Sequence, residues 1–316
     1  MFELETHLDS VFPFEKWQHV RSLVAVSGGP DSVATLRAMV ESGKRSPTWN
    51  GSQLVVGHIN HRTRDGESDG DASFVVELAQ ELGLVCQIAS RDEQLDLGNS
   101  EESMRDFRYE RLVEMAEQVG ARYLVMGHNR DDQVETILFR IFRGTGVAGL
   151  AGIPPHRRVN ESLSIIRPLL GASRQEIECF LKSTKQTFRT DATNSDPVYT
   201  RNFLRNELVP KLKARFGEAM PDGIARLGHQ AIEIQDYLNE QSSALDPAII
   251  NESSDCFELN TTSLQPHPPL LIRNWLIQIW IRKNWPRKAM THAWWSRICD
   301  AMLSDRNQVL NLPCRI

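Results

Sequence analysis

Residues 26–32 read VSGGPDS, following the apolar run Leu23, Val24, Ala25 and preceding the amphipathic stretch VATLRAMVESG. An apolar run, then two glycines, two serines and an aspartate, then helical periodicity is the pattern of a strand that turns through a loop into a helix. A loop of exposed backbone N–H groups at a helix N-terminus suits a phosphate or pyrophosphate. Gly28 and Gly29 let the backbone approach such a ligand closely. No lysine stands where a Walker A loop carries one to the terminal phosphates. A carboxylate at Asp31, beside phosphates, makes sense through a bridging Mg²⁺. The plainer reading is a strand–helix turn capped by Ser27 or Asp31, and the loop alone does not choose.

Working outward, β-rich runs recur at SLVAVS (22–27), QLVVGHI (53–59), LVCQIA (84–89) and YLVMG (123–127). Helical patterns separate them at 32–42, 71–83 and 103–120. This alternation predicts an α/β fold, a doubly wound and mostly parallel sheet covered on both faces. Ligands of such sheets sit at the C-terminal ends of the strands, where VSGGPDS falls. After residue 143 come a glycine-rich connection (RGTGVAGLAGIPPHRR), a short strand (LSIIRPLL) and a helix (SRQEIECFLKST). Residues 199–216 predict a basic helix kinked or broken at Pro210. The domain boundary is expected near residue 217, giving a nucleotide-binding domain over 1–216 and a smaller, mainly helical domain over 217–316. LIRNWLIQIWIRKNW is the strongest element of the latter, and QVLNLPCRI at its end reads as a strand.

At 316 residues and 41% hydrophobic content, the chain can bury two cores. Its first residues, MFELETHLDSVFPFEKW, are acidic and lack the layout of a signal peptide. The most apolar window, PLLIRNWLIQIWI, is broken by Arg273, Asn274 and Gln278 and is too short to span a bilayer. The five cysteines (Cys86, Cys179, Cys256, Cys299, Cys314) form no CxxC pair, which fits a reducing cytoplasm and argues against a cysteine-ligated metal. The formal net charge is -5, yet residues 140–215 hold fourteen Lys or Arg against six Asp or Glu. Residues 270–299 hold six Lys or Arg and no acid. Such a chain can present a basic face to a polyanion despite its negative sum, although charge runs are usually solvated surface.

The second informative string is MGHNRDDQVETILFRIFRGTGVAGLAGI (126–153). On a helix starting near Asn129, Asp132 and Glu135 are i,i+3 and Asp131 and Glu135 are i,i+4, so the three acids share a face. Ile137, Leu138, Ile141 and Phe142 are expected to supply the buried stripe. With His128 at the strand end, the acids could hold Mg²⁺ or position an attacking amine. A helix N-terminus enriched in acids by the dipole is the equal alternative.

Strand, SGGPDS and helix together resemble the PP-loop of the ATP pyrophosphatase superfamily, whose fold is that of the adenine nucleotide alpha hydrolases. GHNRDDQVETILFRIFRGTG further resembles the signature of the tRNA(Ile)-lysidine synthetase family. So do HINHRTRDGESDGDASFV (58–75), EESMRDFRYERL (101–112), IIRPLLGASRQEIECFL and DATNSDPVYTRNFLRNELVPKL, in order over about residues 21 to 215. The resemblance implies a ligase of two steps. ATP adenylates the carbonyl at carbon 2 of the wobble cytidine in a tRNA(Ile) with a CAU anticodon, and free L-lysine then displaces AMP. Lysidine pairs with A rather than G, which switches decoding from AUG to AUA. By the same resemblance, Ser27, Gly28, Gly29, Pro30 and Ser32 hold the pyrophosphate, Asp31 is a Mg²⁺ ligand, and His61 lines the nucleotide pocket. Asp132 and Glu135 recognise or deprotonate lysine, His128 and Arg108 stabilise the adenylated base, and Arg201 and Arg205 contact the anticodon backbone or the phosphates. Asp191 and Asn194 are turn formers ahead of the basic helix, and His58 is a polar residue at a strand end. A homodimer is expected by resemblance, and a cytoplasmic location from the unpaired cysteines.

Residues 217–316 match the family less distinctly. Apolar positions 271, 272, 275, 276, 279 and 280 are expected to be core, and the basic remainder to hold the tRNA. The chain stops at NLPCRI where the family often continues through an LPGG-like segment, so an incomplete C-terminal module is expected. A PP-loop thiolase is the nearest rival, but it would use paired cysteines. A GMP-synthetase-like amination would need a glutaminase domain. A tRNA-binding relative without catalysis is the rival from another class.

Overall fold

The first strand, β1 (Arg21–Ala25), ends at the glycine loop, and the chain enters α2 (Pro30–Lys44) directly behind it. The structure is a computed structural model that describes residues 4–60, 67–90, 101–189, 200–253, 256–304 and 310–313. By contacts the chain divides into two units, Met1–Gly228 and His229–Ile316.

In the first unit, α1 (Leu4–Val11) precedes β1; β2 (Leu54–Asn60), α3 (Glu67–Glu81), β3 (Val85–Ser90), α4 (Glu101–Gln118) and β4 (Ala121–Met126) follow α2. Then come α5 (Arg130–Phe142), α6 (Val147–Leu150), β5 (His156–Arg158), β6 (Ser164–Ile166) and α7 (Arg174–Ser183). The six strands lie in the order β3-β2-β1-β4-β6-β5. All neighbours pair in parallel except β5, which runs antiparallel to β6 at the edge. The chain winds outward from β1 in one direction, then returns to β4 on its other side, leaving a topological switch point between β1 and β4. In such a sheet the binding crevice opens at the switch point, beyond the carboxyl ends of those two strands.

Strand alternation explains why the apolar runs are continuous. Val24, Val56 and Val125 point into one core, which α1, α2, α3 and α7 cover through residues such as Leu8, Leu36, Leu78 and Phe180. Leu23, Val55 and Leu124 point into the opposite core, which α4 covers through Phe107, Leu112 and Met115. A strand buried on both faces cannot alternate apolar with polar. Each fully buried Leu, Val or Ile contributes about 1.5–3 kcal/mol.

Helix α5 starts at a capping box: the Asn129 side chain accepts from the Asp132 backbone N–H, and the Asp132 carboxylate accepts from Asn129 N–H. Its buried stripe differs from the expected one. Ile137 and Leu138 are buried, but Ile141 and Phe142 are exposed at 41% and 65%. Val134, Gln133 and Glu135 are buried in their stead: Val134 packs against Leu204 and Val209, Glu135 lies under Arg205, and Gln133 faces the glycine-rich connection. Gln133 fastens it, donating to the carbonyls of Ala151 and Ile153 and accepting from Ile153 N–H at 2.6 Å. Arg140 adds bonds to the carbonyls of Gly149 and Gly152. Replacing Gln133 with leucine strands these backbone groups, and a stability loss of about 1–3 kcal/mol is expected. A denaturant midpoint unchanged from the parent protein would contradict that.

The basic helix is interrupted, but ahead of Pro210 rather than at it. α8 (Thr200–Phe203) passes through a π-helical segment, Leu204–Leu208, into α9 (Val209–Phe216), with Pro210 in the first turn of α9. π segments widen a helix locally and occur often at functional sites. α10 (Met220–Ser243) follows. Its first turns belong to the first unit, since Met220 and Ile224 pack with Val134, Leu138, Leu204 and Val209. The observed division therefore falls at 228 rather than near 217.

The second unit contains an antiparallel hairpin, β7 (Ile249–Glu252) and β8 (Phe257–Leu259), then α11 (Pro269–Arg282) and α12 (His292–Leu303). Its core centres on Ile272, Trp275, Leu276, Ile279, Trp280 and Trp295, with Leu271 packed against them. Two of its cations are paired within the unit: Arg282 with Asp246, and Lys283 with Glu252. The described part of the final stretch, 310–313, contains no strand. Among the described residues no helix is long and apolar enough to cross a membrane.

Candidate active site

The glycine loop is organised by its own hydroxyls. Ser32 Oγ accepts from Ser27 N–H at 3.1 Å, donates to the Gly29 carbonyl at 2.9 Å and lies 3.2 Å from Ser27 Oγ. Gly29 is the N-cap of α2, and no side chain caps the helix, so Ser27 and Asp31 do not play the capping part. Pro30 occupies the first turn, where its missing N–H costs nothing. Gly28 is buried with φ at 94°, a backbone conformation that favours glycine. The result is a helix N-terminus whose leading N–H groups are left for an anion.

The loop between β4 and α5 closes on it. Asn129 is 2% exposed, and its side-chain amide donates to Asp31 Oδ1 at 2.8 Å. Burial and the neighbouring Asp132 charge push the Asp31 carboxyl up to about 6, against the pull of Asn129, Arg174 and Arg205. A carboxylate raised in this way gains from a cation. Mg²⁺ is commonly held by one or two carboxylates with phosphate oxygens and water, so a single Asp31 at the mouth of a phosphate loop fits it. Among the described residues no three His, Cys, Asp or Glu form a self-sufficient metal cage.

Next to Asp31 lies a carboxylate cleft lined by Asn129, Asp131, Val134, Glu135, Arg174, Arg205, Val209 and Pro221. Glu135 is 5% exposed. Arg205, in the π segment, donates to both its oxygens, at 2.6 and 3.0 Å, and to Asp132 Oδ1 at 2.9 Å. Burial pushes the Glu135 carboxyl up to about 7, with Arg205's hydrogen bond and charge opposing. Burial likewise raises Asp132. Arg205 itself is held above its ordinary value: its bonds to Glu135 and the nearby acids outweigh burial. Asp131, on the same face in sequence, has a different task. Its Oδ2 accepts from the Arg174 N–H at the start of α7.

The other wall is cationic. His128 follows β4, and its imidazole Nδ1 accepts from Arg167 Nε at 3.3 Å. Burial and then the charges of Arg167, Arg105, Arg201 and Arg108 push His128 down to about 3, so it is neutral at any physiological pH. Arg108 and Arg201 thus share one neighbourhood with His128, and Arg201 also acts on Asp132. His58 is 4% exposed; its Nδ1–H bonds the Val26 carbonyl at 2.8 Å, and its Nε2 is buried without a hydrogen-bond partner. His61, Asp191 and Asn194 lie outside the described residues.

The structure therefore brings together Ser27, Gly28, Gly29, Pro30, Asp31 and Ser32 on one loop, Asp132, Glu135 and Arg205 in one cleft, and His128, Arg108 and Arg201 on one wall. Sequence reasoning missed Asn129, Arg167 and Arg189. Arg189 N–H donates to the Gly28 carbonyl, and its guanidinium pairs with Asp71. For Arg167 a signal existed, since an arginine inside the apolar run IIRPLL is an anomaly that asks for a buried partner.

Residues 3–212 match the PP-loop domain family. The chain is 44% identical over 209 residues to the tRNA(Ile)-lysidine synthase of Symbiobacterium thermophilum, covering 65% of this chain and 42% of that one. It is 35% identical over 292 residues to the tRNA(Ile)-lysidine synthase of Bacillus cereus, covering 87% of this chain and 60% of that one. The chain thus spans about half the length of these curated relatives. Among solved structures, the U34-tRNA thiolase NcsA from Methanococcus maripaludis superposes with a TM-score of 0.61 at 16% identity, covering 73% of this chain and 78% of that one. That likeness concerns the fold.

Proposed function

Since this chain belongs to the PP-loop domain family, we propose that it is a tRNA(Ile)-lysidine synthetase, acting in the cytoplasm on tRNA(Ile) with a CAU anticodon, ATP and free L-lysine. One observation carries the reading: a phosphate loop, a cation-hungry carboxylate and a buried acidic cleft converge at one switch point, with a wall of arginines beside them.

Each part has its task. Ser27, Gly28, Gly29, Pro30 and Ser32 hold the pyrophosphate of ATP by backbone N–H groups and hydroxyls. Asp31 would hold Mg²⁺, which when bound neutralises phosphate charge. The cytosine carbonyl is a poor electrophile, and esterifying its oxygen with AMP makes a good leaving group. His128 and Arg108 stabilise the adenylated base by hydrogen bonding and charge. Asp132 and Glu135 receive the ammonium of lysine, and Glu135 is the base that removes its proton. Among the described residues its two oxygens accept only from the guanidinium of Arg205, whereas Asp132 Oδ2 is committed to the α5 capping box. Arg205 occupies the position that a substrate cation would take between those acids. Lysine entry requires it to yield, and it is then free to meet RNA phosphate. Arg201 contributes to the same anionic partner.

The test uses α-labelled ATP, Mg²⁺, labelled lysine and the CAU-anticodon tRNA, with each omitted in turn. AMP release that requires the tRNA, with lysine appearing in it, is the expected result. AMP without lysine incorporation would retain adenylation and overturn the choice of nucleophile. Bound tRNA with no AMP under any condition would overturn catalysis altogether.

A further inference from the structure

Arg167 follows β6 and is 3% exposed, yet it binds no carboxylate in its hydrogen-bond set. Its Nη1 donates to the Pro154 carbonyl at 2.8 Å, its Nη2 to Tyr109 Oη at 2.8 Å and its Nε to His128 Nδ1 at 3.3 Å. Three acceptors on three segments fix the guanidinium fork. Tyr109 is held as an acceptor too: burial would raise its phenol, but the charge and hydrogen bond of Arg167, then those of Arg105, outweigh burial and lower it. Arg157 stands 5.4 Å from the Tyr109 ring centroid and Arg105 5.8 Å from it.

A guanidinium has five donors and no acceptor. The nitrogen of His128 that faces Arg167 must therefore present a lone pair, and an imidazole with a lone pair on Nδ1 carries its single proton on Nε2. The charged groups packed around the ring agree. They are Arg105 and Arg108 from α4, Arg201 from α8 and Arg167 itself. The carboxylates of the adjoining cleft are engaged elsewhere, Asp31 by Asn129 and Asp132 by Asn129 and Arg205. An imidazolium in that company would be repelled from every side.

We propose that Arg167 is a positioning residue that fixes His128 as a neutral imidazole with its proton on Nε2, so that His128 serves the reaction as a hydrogen-bond donor and takes no proton from lysine. The donor's target rests on the proposed function, while the tautomer rests on the geometry alone. A fixed donor aimed at an oxygen that gains charge needs no reorganisation as the reaction proceeds. It also divides labour: the proton of lysine goes to the acidic cleft, and the base is polarised from the cationic wall.

The experiment is ¹⁵N NMR of the full chain with labelled imidazoles and no substrate present, His128 being assigned by its loss in His128→Asn. One pyridine-like nitrogen, Nδ1, and one pyrrole-like nitrogen, Nε2, unchanged from pH 8 to pH 5, are expected. An imidazolium at pH 7, or the proton on Nδ1, overturns the proposal. In Arg167→Gln the ring is expected to mix tautomers and to titrate closer to the ordinary histidine value of about 6.5. Adenylation in that variant should slow by about tenfold to a hundredfold with little change in KM for ATP, and Arg167→Lys, which keeps a donor, should recover part of the loss. A ring unaltered in Arg167→Gln also overturns the proposal. Should that variant fail to fold, the parent spectrum alone decides. Because the spectrum needs no turnover, a protein that makes no lysidine but shows this tautomer would remove the proposed function and leave the tautomer set by Arg167 standing.

Discussion

Lysine transfer in Glu135→Gln is expected to be at least about a hundredfold slower than in the parent protein, the usual contribution of a positioned base. Formation of the adenylated tRNA should stay within a few-fold. The two steps separate because Glu135 lies in the cleft with Arg205 and Asp132, while the phosphate loop is built by Ser27, Gly29 and Ser32. The parent's pH profile carries the sign. Only the carboxylate form of Glu135 accepts a proton, and burial lifts that carboxyl to about 7. Transfer should therefore rise about tenfold per pH unit below 7 and level off above it, rather than levelling near the ordinary glutamate value of about 4.3. The glutamine variant should lose that limb and remain slow throughout. Single-turnover transfer from preformed adenylate, followed from pH 5.5 to 8.5, reads both quantities. A variant that keeps the limb would move the base assignment to Asp132. One that keeps the parent's rate would remove Glu135 from the chemistry.

Asp132→Asn makes a useful contrast. Asp132 is both an acid of the cleft and half of the α5 capping box, accepting from Asn129 N–H. Asparagine keeps an acceptor there, so the cap survives while a charge facing Arg205 is lost. A weaker KM for lysine with a retained pH limb is the signature of recognition without proton transfer.

What the sequence displays and what it hides follow from burial. β1, β2 and β4 were legible because both of their faces are covered, which forces uninterrupted runs such as Leu54–Val55–Val56. The edge strand β5 was not: it is three exposed residues, His156–Arg158, whose pairing comes from the neighbouring β6 and not from any apolar signal. The hairpin β7–β8 was hidden for the same reason, with Ile250 62% exposed. On α5, periodicity put Asp132 and Glu135 on one face, where both meet Arg205, but carried the buried stripe one turn too far along. Ile141 and Phe142 continue the helical spacing, yet the elements that bury the helix, Leu204 and Val209, pack on Val134 and Leu138 and leave 141 and 142 exposed. The phosphate loop could be read because its chemistry lies within seven consecutive residues. The Arg205–Glu135 pair and the Arg167–His128 pair join positions 70 and 39 residues apart, and local patterns carry no trace of that closure.

The site should be most sensitive to a methyl group that touches no substrate. Gly127 lies where the β4–α5 loop presses on the start of α2. A Cβ there would stand 2.7 Å from the Asp31 carbonyl oxygen, 2.8 Å from the Asp31 carbonyl carbon and 2.9 Å from Ser32 Cα. All three are backbone atoms of a helical turn, so no side chain can swing aside. Gly127→Ala must separate the two loops, which pulls Asn129 from Asp31 and moves the helix N-terminus off the phosphates. A displacement of about 1 Å at a reacting site can cost about a hundredfold in rate, and overpacking of this kind costs about 1–3 kcal/mol of stability. Both losses are expected together in AMP formation and in the unfolding midpoint. Gly29→Ala supplies the control, since its Cβ would meet only Ser27 Oγ, at 3.5 Å, and its φ of -71° is ordinary. That variant should keep the parent's midpoint. If Gly127→Ala matches the parent protein in both readouts, the pinch between β1 and β4 is not what aligns the site; if Gly127→Ala loses both and Gly29→Ala keeps its fold, the close approach of the two loops is what sets Asp31 against the phosphates.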